Sequence, residues 1–257
     1  QMETYSRAGY TTIVAPGLQP LIPRHIQALE EVAEHPDSPV RVFTYPLFDK
    51  LDATDFKPNQ GNEKFKVMGP KFWIDGSPYA GGMAMNEPYL DNRFTREKIG
   101  IHAGSRGHLT YENRKLDSLV NLYHQKGWQI SAHTQGERAV DQFLNAVESA
   151  LTANPHKNHR HRMEHNALIT KEQLSRAFDL GITPSFYIDH INYYGDALYE
   201  VIVGPERATR FMPVNSAIKA GHRATIHTDS PSSPIGVLRE MRVAVTRKTS
   251  SGKYVLG

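Results

Sequence analysis

Four side chains have the types and placement to do chemistry: Lys71, His133, His165 and Asp229. They stand in Gly-Pro-Lys-Phe-Trp-Ile-Asp-Gly-Ser (69–77), Ile-Ser-Ala-His-Thr-Gln-Gly (130–136), Arg-Met-Glu-His-Asn (162–166) and Ile-His-Thr-Asp-Ser-Pro (226–231). The last three each follow a short apolar run and precede turn residues. Two imidazoles and a carboxylate from separate strands offer a divalent ion neutral nitrogen donors, one anionic oxygen and room for water. Water on such an ion has its pKa lowered toward about 7. A carboxylate beside it can take the proton and pass it to a leaving group. The chain has 13 histidines and no cysteine. Thiolate sites, disulfides and cysteine nucleophiles are thereby excluded, and any transition-metal site must use His, Asp, Glu or Lys.

Taken singly, each residue has a plainer reading. A strand-end histidine is most often a hydrogen-bonded structural residue, Asp229 before Ser-Pro can cap a turn or helix, and Lys71 can be a strand-entry lysine. The ordered set on successive strands carries the signal.

Seven apolar, β-branched or aromatic runs predict buried strands over 11–15, 40–45, 71–74, 129–132, 162–164, 182–187 and 223–228. Helices lie between them. Pro23 suits a first helical position ahead of the stripe Ile26, Leu29, Val32 and Ala33. Leu116, Leu119, Val120 and Tyr123 repeat the pattern before Gly127, and Val140, Phe143, Leu144, Val147 and Leu151 form the clearest stripe. Thr170 with Gln173 fits a capping box, closed by Gly181, and Ala217, Ile218 and Gly221 suggest a further helix. This alternation means βαβ units and a parallel sheet. Seven strands suit a (β/α)8 TIM barrel better than a doubly wound sheet, and no Gly-x-Gly-x-x-Gly turn follows the first strand.

The count is one strand short, and the missing strand is read as the first. The opening segment 2–10 reads as the tail of a helix already under way, and a helix over 234–247 lies close to the end. Residues 1–257 are therefore expected to form a single, truncated barrel domain, an internal piece of a longer protein. In such a barrel the strand ends and the loops after them carry function.

Thirty Lys and Arg against 27 Asp and Glu give a net charge of +3, which argues against a nucleic-acid or membrane-surface partner and leaves a small-molecule substrate. No apolar run is long enough to span a membrane, and no secretory signal is visible, so the compartment is open, with cytoplasm as the default. Loss of a strand exposes edges beside 11–15 and 223–228. The chain is then expected to be poorly stable alone, or to form a homo-oligomer by pairing those edges with another copy.

His-Thr-Gln-Gly-Glu-Arg-Ala-Val (133–140), Arg-Met-Glu-His-Asn (162–166) and Thr-Asp-Ser-Pro (228–231), followed by Ala-Val-Thr-Arg (244–247), resemble the strand-five, strand-six and strand-eight motifs of the amidohydrolase superfamily. The resemblance is to amidohydrolase family 3, the YtcJ-like metal-dependent hydrolases, some labelled exoenzyme regulatory proteins. Phe-Trp-Ile-Asp-Gly-Ser (72–77) is similar to that branch's strand-four signature, and Phe-Tyr-Ile-Asp-His-Ile-Asn-Tyr-Tyr-Gly-Asp (186–196) to its strand-seven loop.

The resemblance implies a divalent metal, zinc foremost, as one or two ions in the intact family, with His133 and His165 as ligands. Asp229 would ligate or approach the metal and act as general base. Lys71 matches a lysine that in some superfamily members is carbamylated and bridges two ions. His190 would lie over the site, touching substrate or a developing oxyanion. The family's His-x-His of strand one and its flanking β-sandwich domain have no counterpart here. His159-Arg160-His161 has the pattern but precedes strand six, on the opposite face, and is read with His156 as a solvated basic loop.

The leading expectation is a hydrolase of C–N bonds, amide or cyclic amide, with activity of this chain left open by the missing ligands. Ester hydrolysis by the same machinery is a variant. The alternative is a non-catalytic regulatory or binding protein on a degenerate scaffold. A phosphate-binding barrel ranks last, because Ser230-Pro231-Ser232-Ser233-Pro234 is a poor substitute for a Gly-rich loop. Trp73, Tyr79, Tyr187, Tyr193 and Tyr194 are expected to line the mouth and to favour an apolar or aromatic substituent.

Overall fold

A computed structural model describes residues 2–18 and 24–257. In chain order the elements are α1 (Met2–Arg7), β1 (Thr12–Leu18), α2 (Arg24–Glu34), β2 (Arg41–Pro46), α3 (Phe48–Leu51), β3 (Phe65–Val67) and β4 (Lys71–Trp73). Then come α4 (Asn113–Gln125), β5 (Ser131–Thr134), α5 (Glu137–Ala153), β6 (Arg162–His165), α6 (Lys171–Asp179) and β7 (Thr183–Tyr187). The rest comprises α7 (Asp189–Ala197), α8 (Pro205–Ala208), α9 (Val214–Lys219), β8 (Thr225–His227) and α10 (Val237–Thr246).

Every strand pair is parallel, in the orders β1-β2-β3 and β4-β5-β6-β7-β8. This is the α/β layout of a (β/α)8-type barrel wall. All seven expected strands are present, and β3 is an eighth that the sequence reading passed over. Its neighbour explains it. Residues 65–73 form one extended segment whose first part pairs with β2 and whose second part pairs with β5. The Met68 N–H donates to Thr44 O at 2.9 Å, and Ser131 N–H donates to Pro70 O at 3.1 Å. A parallel bridge between Leu47 and Lys71 spans the break. Gly69 makes the handover feasible: its φ is +155°, and a Cβ there would stand 2.0 Å from Gln129 O.

β1 and β8 end their respective sheets, with no backbone pairing between them among the described residues. A cavity of about 1260 Å³ opens there, reaching from Thr12 and Val14 of β1 to Ile226 of β8 and inward to the strand ends.

The helices cover the wall as their stripes require. Val140, Phe143, Leu144 and Val147 of α5 are fully buried. The Thr170–Gln173 capping box forms at α6, with both reciprocal bonds present. Gly127, Gly181 and Gly221 follow their helices in the left-handed region, at φ 80°, 72° and 95°. The helix start expected at Pro23 lies outside the described residues. On α2, Ile26 and Ala33 are buried but Val32 is exposed.

The histidine-rich loop before β6 differs from expectation. His159 and His161 are buried, not solvated, and they form a wired chain with His124. The Ile130 N–H donates to His161 Nδ1 at 3.0 Å, and the His161 N–H donates to His159 Nδ1 at 2.9 Å. Both rings must then carry their proton on Nε2. His159 passes it to Leu180 O at 2.8 Å and His161 to His124 Nδ1 at 2.9 Å; His124 in turn donates to Asn154 O at 2.8 Å. Burial, reinforced by the neighbouring imidazoles, holds His161 well below the usual histidine range and lowers His159. These rings satisfy backbone groups that strand pairing leaves open, at the end of the wall opposite the rim where β5 and β6 finish.

Candidate functional site

The rim is built by register. Trp73 pairs with His133, and His133 pairs with Glu164, so β4, β5 and β6 finish side by side. His133 lies within β5 rather than past its end, while His165 closes β6. Their rings stand 4.5 Å apart between centroids, inclined at 60°.

Each ring is held through Nδ1. Asp75, just beyond β4, accepts from His133 Nδ1 at 2.9 Å. The same carboxylate accepts from the N–H groups of Gln135 (2.9 Å), Gly136 (2.9 Å) and Ala84 (3.0 Å). Four donors fix it, and an acceptor-only group fixes the imidazole in turn: the neutral ring keeps its lone pair on Nε2. His165 Nδ1 meets His227 Nε2 at 3.2 Å, and His227 Nδ1 meets Ser185 Oγ at 2.8 Å. Asp75 and His227 are the residues that reading the sequence missed. Both stood inside the quoted motifs, but neither carries a signal of its role until strand register places it against its partner.

Backbone strain concentrates here. His165, Asn166 and Asp229 all lie at positive φ, at 76°, 53° and 53°. Such conformations cost on the order of 1–3 kcal/mol each and persist where their surroundings impose them. Asn166 shows how: its side chain donates to Met163 O at 2.9 Å and Ser185 O at 3.0 Å, and its Oδ1 accepts from Thr134 Oγ1 at 2.9 Å.

Beneath the rim lies a charged floor. Glu164 is gripped by Arg162, with Nη2 at 3.1 Å, and accepts from Ser131 Oγ at 2.9 Å. Burial pushes its carboxyl up, but Arg162, then Lys71 and His227, outweigh this and hold it down at about 2. Lys71, 2 % exposed, has no carboxylate within ion-pair distance among the described residues. Burial lowers its ammonium to about 8, against the opposing pull of Glu164 and Asp229. Burial also drives His165 and His190 well below the usual range and His227 down to about 4.

Above the rim, Tyr79 hydrogen-bonds His190 Nδ1 and stacks on Tyr194 at 3.8 Å between centroids. Tyr187 meets the His190 ring edge-on at 4.1 Å. Trp73, Tyr79, Tyr187, Tyr194 and His190 line the cavity as expected. Tyr193 does not: it is turned outward, 42 % exposed, beneath the Arg239 guanidinium. Gln135 also lines the cavity, 3 % exposed, with no partner for its Oε1 among the described residues.

The donors fit a cation in part. With nitrogen–metal bonds of about 2.0–2.1 Å, two imidazoles on one ion stand roughly 4.5–5 Å apart between centroids. His133 and His165 meet that spacing, and neither Nε2 makes a hydrogen bond among the described residues. Asp229 and Lys71 line the same cavity without joining them. No group of three or more His, Asp or Glu side chains is arranged around one point among the described residues. The structure thus brings together two of the four expected ligands.

A parallel α/β wall with its polar residues gathered at the strand ends is the architecture of the metal-dependent hydrolase barrels. Comparison with solved structures agrees. An uncharacterized metal-dependent hydrolase from Pyrococcus horikoshii OT3 superposes with a TM-score of 0.75 at 24% identity, covering 96% of this chain and 47% of the other. Its counterpart from Pyrococcus furiosus gives 0.73 and 24%, over 95% and 47%. The model of the amidohydrolase family matches residues 1–257, and the chain belongs to that family. Among curated relatives, Protein LONG AFTER FAR-RED 3 of Arabidopsis thaliana is 27% identical over 207 residues, 79% of this chain and 34% of that protein. YtcJ of Bacillus subtilis (strain 168) is 26% identical over 197 residues, again 34% of its length. The chain therefore spans about a third of these relatives.

Proposed function

We propose that this rim is the metal-facing side of a hydrolase that cleaves C–N bonds, amide or cyclic amide, in a small organic substrate. The observation that carries the proposal is the His133–His165 pair. Two rings at ligand spacing line one cavity, neither Nε2 having a hydrogen-bond partner among the described residues, and Asp75 fixes the first in the tautomer a cation requires. His133 and His165 would hold the ion, with zinc the one that nitrogen donors suit. A bound divalent cation supplies Lewis acidity to a water or a carbonyl. Asp229, on the cavity wall, is the proposed base, and Lys71 the proposed further ligand, bridging a second ion if carbamylated. His190, kept neutral by burial and oriented by Tyr79, is the proposed donor to the substrate oxygen. Gln135 offers a buried amide oxygen, without a partner among the described residues, to a substrate N–H. The aromatic lining supports an apolar or aromatic substituent.

A second reading, a binding or regulatory protein on this scaffold, is favoured by the incomplete donor set. Zinc titration and hydrolysis of a panel of N-acyl amino acids and cyclic amides, with wild type against His133→Ala, decide between them. The hydrolase reading expects one zinc per chain, with binding and turnover both lost in the variant. Substrate binding without turnover, unchanged by the variant, would establish the second reading instead.

A further inference from the structure

The two rings of the rim are pinned differently. Asp75 can only accept, so His133 always donates from Nδ1. His165 is pinned by another imidazole, His227, held by Ser185 Oγ and stacked on Tyr187 with centroids 5.8 Å apart and planes inclined by 12°. We propose that His227, backed by Ser185, is a positioning residue that selects which nitrogen of His165 carries the proton, and so whether its cavity-facing Nε2 is a donor or a ligand.

Two arrangements satisfy the same contacts. In one, the Ser185 hydroxyl donates to His227 Nδ1, His227 Nε2–H donates to His165 Nδ1, and His165 carries N–H at Nε2. In the other, His227 Nδ1–H donates to Ser185 Oγ, His165 Nδ1–H donates to His227 Nε2, and His165 Nε2 bears the lone pair. Between them, the His165 Nε2 proton leaves to cavity water and the His227 Nε2 proton crosses to His165 Nδ1. A water proton arrives at His227 Nδ1 while the serine hydroxyl rotates to accept, and net charge is unchanged. The first arrangement is favoured without a cation, because no other acceptor for the buried Ser185 hydroxyl is present among the described residues. A cation at Nε2 requires the second. His133 is thus a permanent ligand and His165 a conditional one. A carbonyl oxygen could occupy the donor form that a cation displaces.

The use of the free nitrogen rests on the metal-hydrolase reading, whereas the tautomer itself does not. The test is long-range 1H–15N NMR of the 15N-histidine-labelled chain, first metal-free and then titrated with zinc chloride, for wild type, H227F and S185A. Metal-free wild type should show His133 as the Nδ1–H and His165 as the Nε2–H tautomer, with zinc converting His165 to Nδ1–H. In H227F, His165 should average between tautomers while His133 is unmoved, and zinc affinity should fall about ten- to hundred-fold. S185A keeps the rings, and its metal-free spectrum should show a His165 population shifted away from the Nε2–H tautomer even if H227F does not fold. The proposal is overturned if His165 keeps its wild-type tautomer in both variants, or if zinc affinity is unchanged in H227F. Wild type that binds no zinc would defeat the metal reading, while the metal-free tautomers still decide the role of His227.

Discussion

The buried imidazole chain opposite the rim makes a quantitative prediction about acid. His161 takes a hydrogen bond from Ile130 N–H at Nδ1 and gives one to His124 from Nε2, so a second ring proton has no place in the folded chain. Its folded-state pKa accordingly lies well below 6.5 through burial and the facing His159, His124 and His156 rings. The unfolded chain takes up that proton near pH 6.5. Stability from the neutral ring is therefore complete above about pH 6.5 and declines as pH falls, until the folded ring itself protonates. The slope is about 1.4 kcal/mol per pH unit per proton. Between pH 6.5 and 5 the loss is at most about 2 kcal/mol, or at most about 4–8 °C in Tm for a chain of this size. Other buried histidines titrate too, so the measurement is a difference. His161→Asn keeps an acceptor for Ile130 N–H but cannot bind the proton. It should be less stable at pH 7.5 by about 1–3 kcal/mol for the broken bond to His124, and the gap should shrink by up to about 2 kcal/mol at pH 5. Thermal or urea unfolding of both proteins at pH 7.5, 6.5, 5.75 and 5.0 reads this directly. Parallel pH profiles would show that His161 protonates in the folded state as readily as in the unfolded chain, and the wiring argument would fail.

Three further outcomes are expected. Gly69→Ala should cost at least about 2 kcal/mol by urea unfolding, since the new Cβ meets Gln129 O at 2.0 Å; a neutral result would mean the segment between β3 and β4 moves freely. Asp75→Asn should cost about 3 kcal/mol and release His133 to mixed tautomers, seen by NMR, because an amide nitrogen replaces one acceptor of a fourfold-bonded carboxylate. The edges of β1 and β8, unpaired among the described residues, should drive concentration-dependent association in sedimentation velocity, weakened by Val14→Lys; association unaffected by a charge at that 42 % exposed edge position would place the contact elsewhere.

The fold was legible where one-dimensional patterns suffice. The stripe of α5, the capping box at Thr170 and the glycine stops at Gly127 and Gly181 are local signals, and each is realised. β3 was not legible, because three residues ahead of a Gly-Pro carry no periodicity, and their strand character comes from pairing with β2 alone. The histidine loop was misread for a related reason. A run of His, Arg and His looks solvated when charge is counted residue by residue. His159 and His161 are buried because each meets a backbone N–H that strand pairing leaves unused.

The rim follows the same rule at closer range. His133 and His165 announce themselves by type and by following apolar runs, so the two rings that meet at the rim could be named from sequence. The groups that aim them could not. Asp75 reaches His133 across the β4–β5 pairing, and His227 reaches His165 from β8 across β7, contacts of 58 and 62 residues' separation set wholly by parallel register. Slipping β8 by one residue against β7 would turn His227 to the other face and leave His165 Nδ1 without this partner. The proposed choice between a donor and a ligand at the rim therefore depends on a three-residue strand that ends its sheet among the described residues, and its pairing with β7 is what sets His227 against His165.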